Sequence, residues 1–308
     1  MEQTLSPQRS RMSLWIQAVR AFSFPGTVVP VLVAGMCALA LFNGTILWFL
    51  YPLIFICAIL FHAGSNLVSD YFDFKRKVDH ENAYGSSGVL TGGLMRPVEI
   101  LRGGLICFAI GFSLGMILVY FRGTPILVLG LIGLLGGYFY TAYPINFKYY
   151  AFGDLGIFLL FGPLMVIGSY FSLTGEFNMN ILYISIPIGF LILGVLHANN
   201  TRDIKQDKIA NIKTVAMLLG IKGAKMEYYF LVIGAFLSIC IMVLLNILSV
   251  WSLLVFISFP VALQNMKQMS KADVDNPDLI AMMDVRTAQH HLMFGVLLSI
   301  GILISKFI

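Results

Sequence analysis

The sequence predicts an all-α membrane protein that crosses the bilayer nine times, and three observations carry that prediction. Of the 308 residues, 58% are hydrophobic and only 11% charged, against roughly 25% charged in an ordinary soluble domain. The mean hydropathy is +0.87. Nine apolar runs each approach the ~20 residues that a hydrocarbon core demands of a helix. The cations, finally, gather in alternate connections, as Lys and Arg do in cytoplasmic loops.

Read from the N-terminus, Arg9, Arg11 and Arg20 precede a first span at about 22–42. Its length, and the lack of a small-residue cleavage site, mark it as a retained span rather than a signal peptide. The second, at about 46–66, runs into Asn66-Leu-Val-Ser-Asp70-Tyr-Phe-Asp73. A loop at about 71–103 follows, with Lys75, Arg76, Lys77, Arg96 and Arg102. It also holds Gly85-Ser-Ser-Gly88, Thr91-Gly-Gly93 and Pro97, which suits the first turn of a short helix. Spans three and four, at about 104–121 and 125–145, are parted by Arg122. Lys148 leads to the fifth, at about 153–173.

The sixth span, at about 180–200, ends in Asn199-Asn-Thr-Arg-Asp203-Ile-Lys-Gln-Asp207. A second long loop, at about 201–227, carries six cations. Spans seven and eight, at about 228–247 and 249–265, are separated only by Leu248 and Ser249. A polar connector with Asp273, Asp275, Asp278 and Asp284 precedes the ninth, at about 290–307. With the N-terminus inside, all of the 20 Lys and Arg residues except Arg122 and Lys306 face the cytoplasm. The prediction is N-in and C-out, one membrane domain over 1–308, with a bacterial inner membrane as the expected location. Anionic headgroups of the bilayer satisfy the +5 net charge, so no nucleic-acid partner is expected. The four cysteines lie singly in apolar spans and read as small core residues.

The chemistry sits in the two acidic clusters. Carboxylates are costly beside hydrocarbon, so ionisable groups at a membrane helix end point to function. Asp70 and Asp73 are three apart, Asp203 and Asp207 four apart, so each pair shares a helix face. Facing carboxylates repel unless a proton or a cation lies between them. Mg2+ takes oxygen ligands, typically one or two carboxylates together with substrate phosphates. Two such pairs on one membrane side therefore suit a diphosphate held through Mg2+, with Asn66 and Asn199 adding oxygen ligands or orienting waters. The clusters match as a short internal repeat, and four crossings between them keep both helices in one direction. Arg202, Lys213 and Lys148 are candidate partners for a leaving diphosphate. Lys148 is alone in its loop after Tyr140-Thr-Ala-Tyr143-Pro144. The 25 Phe and 13 Tyr mostly pack or face lipid, yet together they could line an apolar tunnel. His62, His197, His290 and His291 lack zinc or triad spacing and read as structural.

On these residues the chain resembles the UbiA superfamily of intramembrane aromatic prenyltransferases, in particular the branch that prenylates 1,4-dihydroxy-2-naphthoate for menaquinone synthesis. The resemblance rests on both clusters, on Tyr140-Thr-Ala-Tyr-Pro144 with Gly153-Asp-Leu155, and on Phe161-Gly-Pro-Leu-Met165. It implies nine helices around a central cavity, capped by the two cytoplasmic loops. It implies that Asn66, Asp70, Asp73, Asn199, Asp203 and Asp207 serve Mg2+ and diphosphate, with Asn200 in the second motif and Arg202 on phosphate. Asp79 matches the later Asp of the first motif, and Tyr140 and Tyr143 belong to the central one. Three positions depart from the pattern: Ser69 replaces an Asn, Lys77 replaces a Gly, and Lys213 is displaced by one residue. The expected reaction transfers a polyprenyl group from its diphosphate to dihydroxynaphthoate with loss of CO2. Alternatives are 4-hydroxybenzoate or another phenolic acceptor and, in another class, a secondary transporter, whose ionisable groups would sit near the midplane.

Overall fold

A computed structural model describes residues 10–79 and 84–308. Arg9 and residues 80–83 of the first long loop, included in the reading above, lie outside the described residues. Among those described the protein is all helical, with an isolated bridge between Tyr150 and Lys213 as its one extended pairing. Twelve α-helices follow one another: α1 (Arg11–Ala18), α2 (Pro25–Leu41), α3 (Tyr51–Lys75), α4 (Pro97–Arg122), α5 (Thr124–Phe139) and α6 (Gly153–Leu159). The remainder are α7 (Met165–Thr174), α8 (Met179–Arg202), α9 (Ile204–Ile209), α10 (Val215–Leu244), α11 (Phe259–Met269) and α12 (Met283–Ile304).

Among the described residues, eight stretches are long and apolar enough to cross a membrane: Ala21–Leu41, Trp48–Lys75, Pro97–Arg122, Gly153–Thr174, Met179–Arg202, Val215–Leu244, Val250–Met269 and Pro277–Ile304. They overlap eight of the nine expected spans. The fourth expected span corresponds to α5, which has 16 residues and falls short of the usual length. Several helices outrun their apolar runs at the polar ends. α3 continues to Lys75, Pro97 opens a long helix rather than a short one, and α10 begins at Val215 inside the expected second loop, with a break at Gly220 (φ 66°). Hydropathy follows contact with lipid, whereas a helix continues as long as its hydrogen bonds do, so the helices project beyond the apolar runs.

The main core joins α2, α8, α10 and α12, and α8 is the most enclosed of them. Lipid tails are as apolar as Leu, so close backbone approach rather than water exclusion holds such helices together. A Cβ on Gly162 would lie 2.9 Å from the Gly189 Cα, so this contact excludes larger residues. Gly162 belongs to a π-helical turn, Leu160–Leu164, joining α6 to α7. Such bulges re-aim side chains, and here Phe161 faces both cavities described below. Of the cysteines, Cys37 and Cys57 are buried, while Cys107 and Cys240 are half-buried.

α1 and the segment after α3 close one end of the bundle. Leu14 and Ala18 pack with Leu67, Val89, Leu90, Met95 and Ile100. The Gln17 amide donates to the Ser87 carbonyl at 2.7 Å. Farther along that segment's path, the Tyr84 hydroxyl donates to Asp278, and the Arg202 guanidinium lies 5.1 Å from the Tyr84 ring centre. A Cβ on Gly85 would sit 3.3 Å from Asp203 Oδ2, so a larger residue would crowd the second cluster.

Candidate active site

The ends of α3 and α8 meet at one cavity. Its empty volume is about 1230 Å3 including the open mouth. Arg20, Asn66, Asp79, Lys148, Asn199, Asn200, Asp203 and Asp207 all line it, as does Tyr140. Asp70 and Asp73 are each 1% exposed and stand behind this wall. Arg20 is ion-paired to Asp70 Oδ1, while Asp70 Oδ2 is buried without a hydrogen-bond partner. Lys148 Nζ donates to Asp73 Oδ2 at 2.8 Å and the Tyr149 hydroxyl to Asp73 Oδ1 at 2.7 Å. Ionised carboxylates this deep require paired charge, and Arg20 and Lys148 supply it.

Local structure explains how these groups arrive. Asn66, one turn before Asp70, donates from Nδ2 to the Val19 carbonyl at 2.8 Å and to Ser23 Oγ at 3.1 Å. It thereby ties the segment that carries Arg20 to α3. Lys148 and Tyr149 lie on a short 3-10 turn after Pro144. Two backbone bonds anchor that turn, from Lys213 N to the Tyr149 carbonyl (3.1 Å) and from Ala151 N to the Lys213 carbonyl (2.6 Å).

At the second cluster, Asp203 ends α8 and Asp207 lies one turn later on α9. The Arg202 guanidinium clamps Asp203 with two bonds of 2.9 Å and also donates to Asn199 Oδ1 at 2.9 Å and the Ala281 carbonyl at 3.0 Å. Asp284 is 3.5 Å away. Arg202 is thus fully occupied within the protein and orients Asp203 and Asn199, rather than facing a ligand. Lys213 is exposed and its side chain is not on the cavity wall. Tyr143 is 75% exposed and likewise off the wall.

Charge density governs protonation here. Burial, and next Asp73, push Asp79 up to about 6. Burial, and next Asp203, push Asp207 up to about 7. Burial works against the Lys148 ammonium, but Asp73 together with Tyr149 and Tyr140 holds the lysine above its ordinary value. Burial likewise opposes the Arg20 charge, and Asp70, Asp79 and Asp73 together more than restore it. Burial, opposed by Lys148, raises Tyr140, which stays a neutral phenol.

A second cavity, about 1110 Å3 with its opening, lies against the first. Its lining is apolar, with Phe61, Phe112, Leu129, Leu160 and Met165 among its side chains. His62, Ser65, Tyr140, Ile157 and Phe161 border both cavities. The arrangement is a charged chamber adjoining an apolar slot. Sequence reasoning missed Arg20 as a wall residue and did not single out Tyr149. Each meets its aspartate across 50 or more residues of chain, so no local spacing announces it.

The architecture and the sequence agree with known proteins. A model of the UbiA prenyltransferase family matches residues 27–301. The chain is 33% identical over 304 residues to 1,4-dihydroxy-2-naphthoate octaprenyltransferase of Bacillus subtilis (strain 168), covering 98% of this chain and 96% of that protein. The fold is similar to an apo UbiA homologue from Aeropyrum pernix K1 (TM-score 0.66, 14% identity, 93% and 98% of the two chains). It is also similar to a UbiA homologue from Archaeoglobus fulgidus bound to GPP and Mg2+ (TM-score 0.60, 16% identity, 93% and 100%). The charged chamber, the adjoining apolar slot and the near full-length match lead to one conclusion: this chain belongs to the UbiA prenyltransferase family.

Proposed function

We propose that the protein transfers a polyprenyl group from its diphosphate to 1,4-dihydroxy-2-naphthoate, releasing diphosphate and CO2 and giving demethylmenaquinone. The junction of charged chamber and apolar slot carries this reading, since only an amphiphile with an anionic head and a long apolar tail uses both. The acceptor is taken from the Bacillus relative's name. A 4-hydroxybenzoate-like phenol is the alternative outcome of the assay below. Both clusters lie at helix ends beside long segments rather than at mid-span, which weighs against the transporter.

Asp70, Asp73, Asp203 and Asp207, with Asn66 and Asn199, are the donors for Mg2+. The unpartnered Asp70 Oδ2 and the carboxylates facing one chamber fit a hard divalent cation. When bound, the metal supplies Lewis-acid charge to the diphosphate. Arg20 and Lys148 are placed to shift their hydrogen bonds from Asp70 and Asp73 onto phosphate oxygens, stabilising the charge that develops as the allylic C–O bond breaks. Tyr140 and Phe161 present rings at the mouth of the slot, where ring faces favour an allylic cation. His62, pinned by Thr27 (2.7 Å) and Ser23 (3.1 Å), completes that junction. The slot excludes water, which would otherwise capture the cation. The ring carbon bearing the carboxylate bonds to the prenyl C1, and CO2 departs, leaving its electron pair in the ring.

The same proposal takes residues 1–308 as one domain with nine crossings, N-terminus inside and the chamber facing the cytoplasm of a bacterial inner membrane. α5 supports the ninth. Arg122, just before it, donates to the carbonyls of Ser172 and Leu173 at the far end, whereas Tyr140, just after it, lines the chamber. Segments 84–96 and 204–214 then act as caps, the first held over the second cluster by Tyr84. The decisive assay incubates purified protein with a prenyl diphosphate, Mg2+ and a mixture of aromatic acids, and weighs the products. A prenylated dihydroxynaphthalene lacking the carboxyl group is expected. A product that keeps its carboxyl refutes the decarboxylating reaction, and no prenylated product refutes the transfer.

A further inference from the structure

A cluster of ligand-type side chains sits outside the chamber wall, on three other helical positions. Asp154 opens α6, His197 lies in the last two turns of α8, and Glu227 projects from α10. One donor atom from each lies within 4.8 Å of the other two. They are Asp154 Oδ2, His197 Nδ1 and Glu227 Oε2, and all three are buried without a hydrogen-bond partner. His197 is fully buried, and its Nε2 lies 2.8 Å from the Ala224 carbonyl. A carbonyl only accepts, so Nε2 carries the hydrogen, and in the neutral ring the Nδ1 lone pair points toward two carboxylates.

That grouping is costly unless something positive occupies its centre. A proton on Nδ1 would serve one carboxylate at a time and leave the group at net charge −1. A divalent ion with neutral His197 leaves it at zero. The spacing agrees: Nδ1 is 3.6 Å from Asp154 Oδ2 and 3.4 Å from Glu227 Oε2. In a tetrahedral site with bonds of about 2.1 Å, neighbouring donors stand about 3.4 Å apart. One imidazole and two carboxylates, with water as a fourth ligand, suit zinc. Outer partners are already in place: the Ala224 carbonyl fixes the imidazole, and Asn200 Nδ2 donates to Asp154 Oδ1 at 3.2 Å. Such partners orient metal ligands.

We propose that Asp154, His197 and Glu227 form a zinc site separate from the diphosphate chamber. None of the three lines that chamber. The ion would cross-link α6, α8 and α10 just before the Asn199–Asp207 cluster and so fix its position. The proposal does not depend on the prenyl-transfer reading, and its test uses no prenyl substrate.

The full chain, purified in detergent, is exposed to Zn2+ under excess Mg2+, desalted and measured for zinc by mass spectrometry. About one zinc per chain is expected in the wild type and in Asp207→Asn, and less than about a tenth in Glu227→Gln. Wild-type zinc below that level, equal zinc in wild type and Glu227→Gln, or loss in Asp207→Asn would each overturn the site. A readout that needs no variant is Co2+ added to the wild type. Visible d–d bands that added Zn2+ abolishes support the site, and an unchanged spectrum overturns it.

Discussion

Arg20 and Lys148 give the chamber its character, because each lines its wall and pairs with a carboxylate standing behind that wall. Replacing either by Ala should lower kcat/KM by about a hundredfold, the usual cost of one removed donor to developing charge. Unchanged turnover would return that cation to a purely structural role. Asp70→Asn and Asp203→Asn should abolish turnover while the protein still inserts and folds, as judged by its elution in detergent. The elevated Asp207 adds a pH dependence. Below about 7 it carries its proton and cannot serve as an anionic ligand, and above about 7 it can. Mg2+ affinity, measured by titration, should therefore rise about tenfold from pH 6 to pH 8, following ionisation of one group. A flat profile would mean that Asp207 is not a ligand. Residues of this kind were only partly legible in the sequence. The aspartates and Asn199 stood out because each cluster is local, with helical spacing. Arg20 did not, because its partner lies on another helix, and its neighbours give only a basic approach to a membrane span. Arg202 was legible as a cation beside the second cluster, and its bonds to Asp203 and Asn199 are local, but those to Ala281 and Asp284 depend on a segment arriving from the far end of the chain.

Among the elements, α3, α4, α5, the π turn and α7 supply most of the slot's wall. Gly130 and Gly133 on α5 line it, and a Cβ on Gly133 would meet Leu164 at an ordinary 3.6 Å. A longer side chain there, as in Gly133→Met, should fill the slot and turn the enzyme toward short donors. Competition between geranyl and octaprenyl diphosphate, read from product masses, checks this, and an unchanged product ratio would place the tail elsewhere. The positions of these helices followed from hydropathy, because lipid contact imposes apolar side chains over a whole bilayer thickness. Their ends did not. Lys75, Pro97 and Val215 sit where the helix leaves lipid and is held by other parts of the protein, a change to which hydropathy is blind. The π turn was also illegible: Phe161-Gly-Pro-Leu-Met165 stood out as a motif, yet nothing in its composition distinguishes a bulge from a kink.

For the whole molecule, the count of crossings sets which side each terminus occupies. Nine crossings place Ser305 and Lys75 on opposite faces, whereas eight would place them together. Cysteines introduced at these positions (Ser305→Cys and Lys75→Cys) should react with an impermeant thiol reagent from opposite sides of sealed inverted vesicles. Labelling from one side only would remove α5 from the set of spanning helices. One structural feature reaches further. In the proposed reaction the donor's head would meet the fixed charges of the chamber and its tail the apolar slot, with His62, Ser65, Tyr140, Ile157 and Phe161 bordering both. In that reaction, once the bond has moved, the prenylated product has no anionic anchor left. Escape sideways into the surrounding lipid then meets little electrostatic resistance, whereas the pyrophosphate by-product stays tethered until ions and water carry it off. Pyrophosphate should accordingly compete with the donor as a strong inhibitor, and the prenylated product should scarcely inhibit at all.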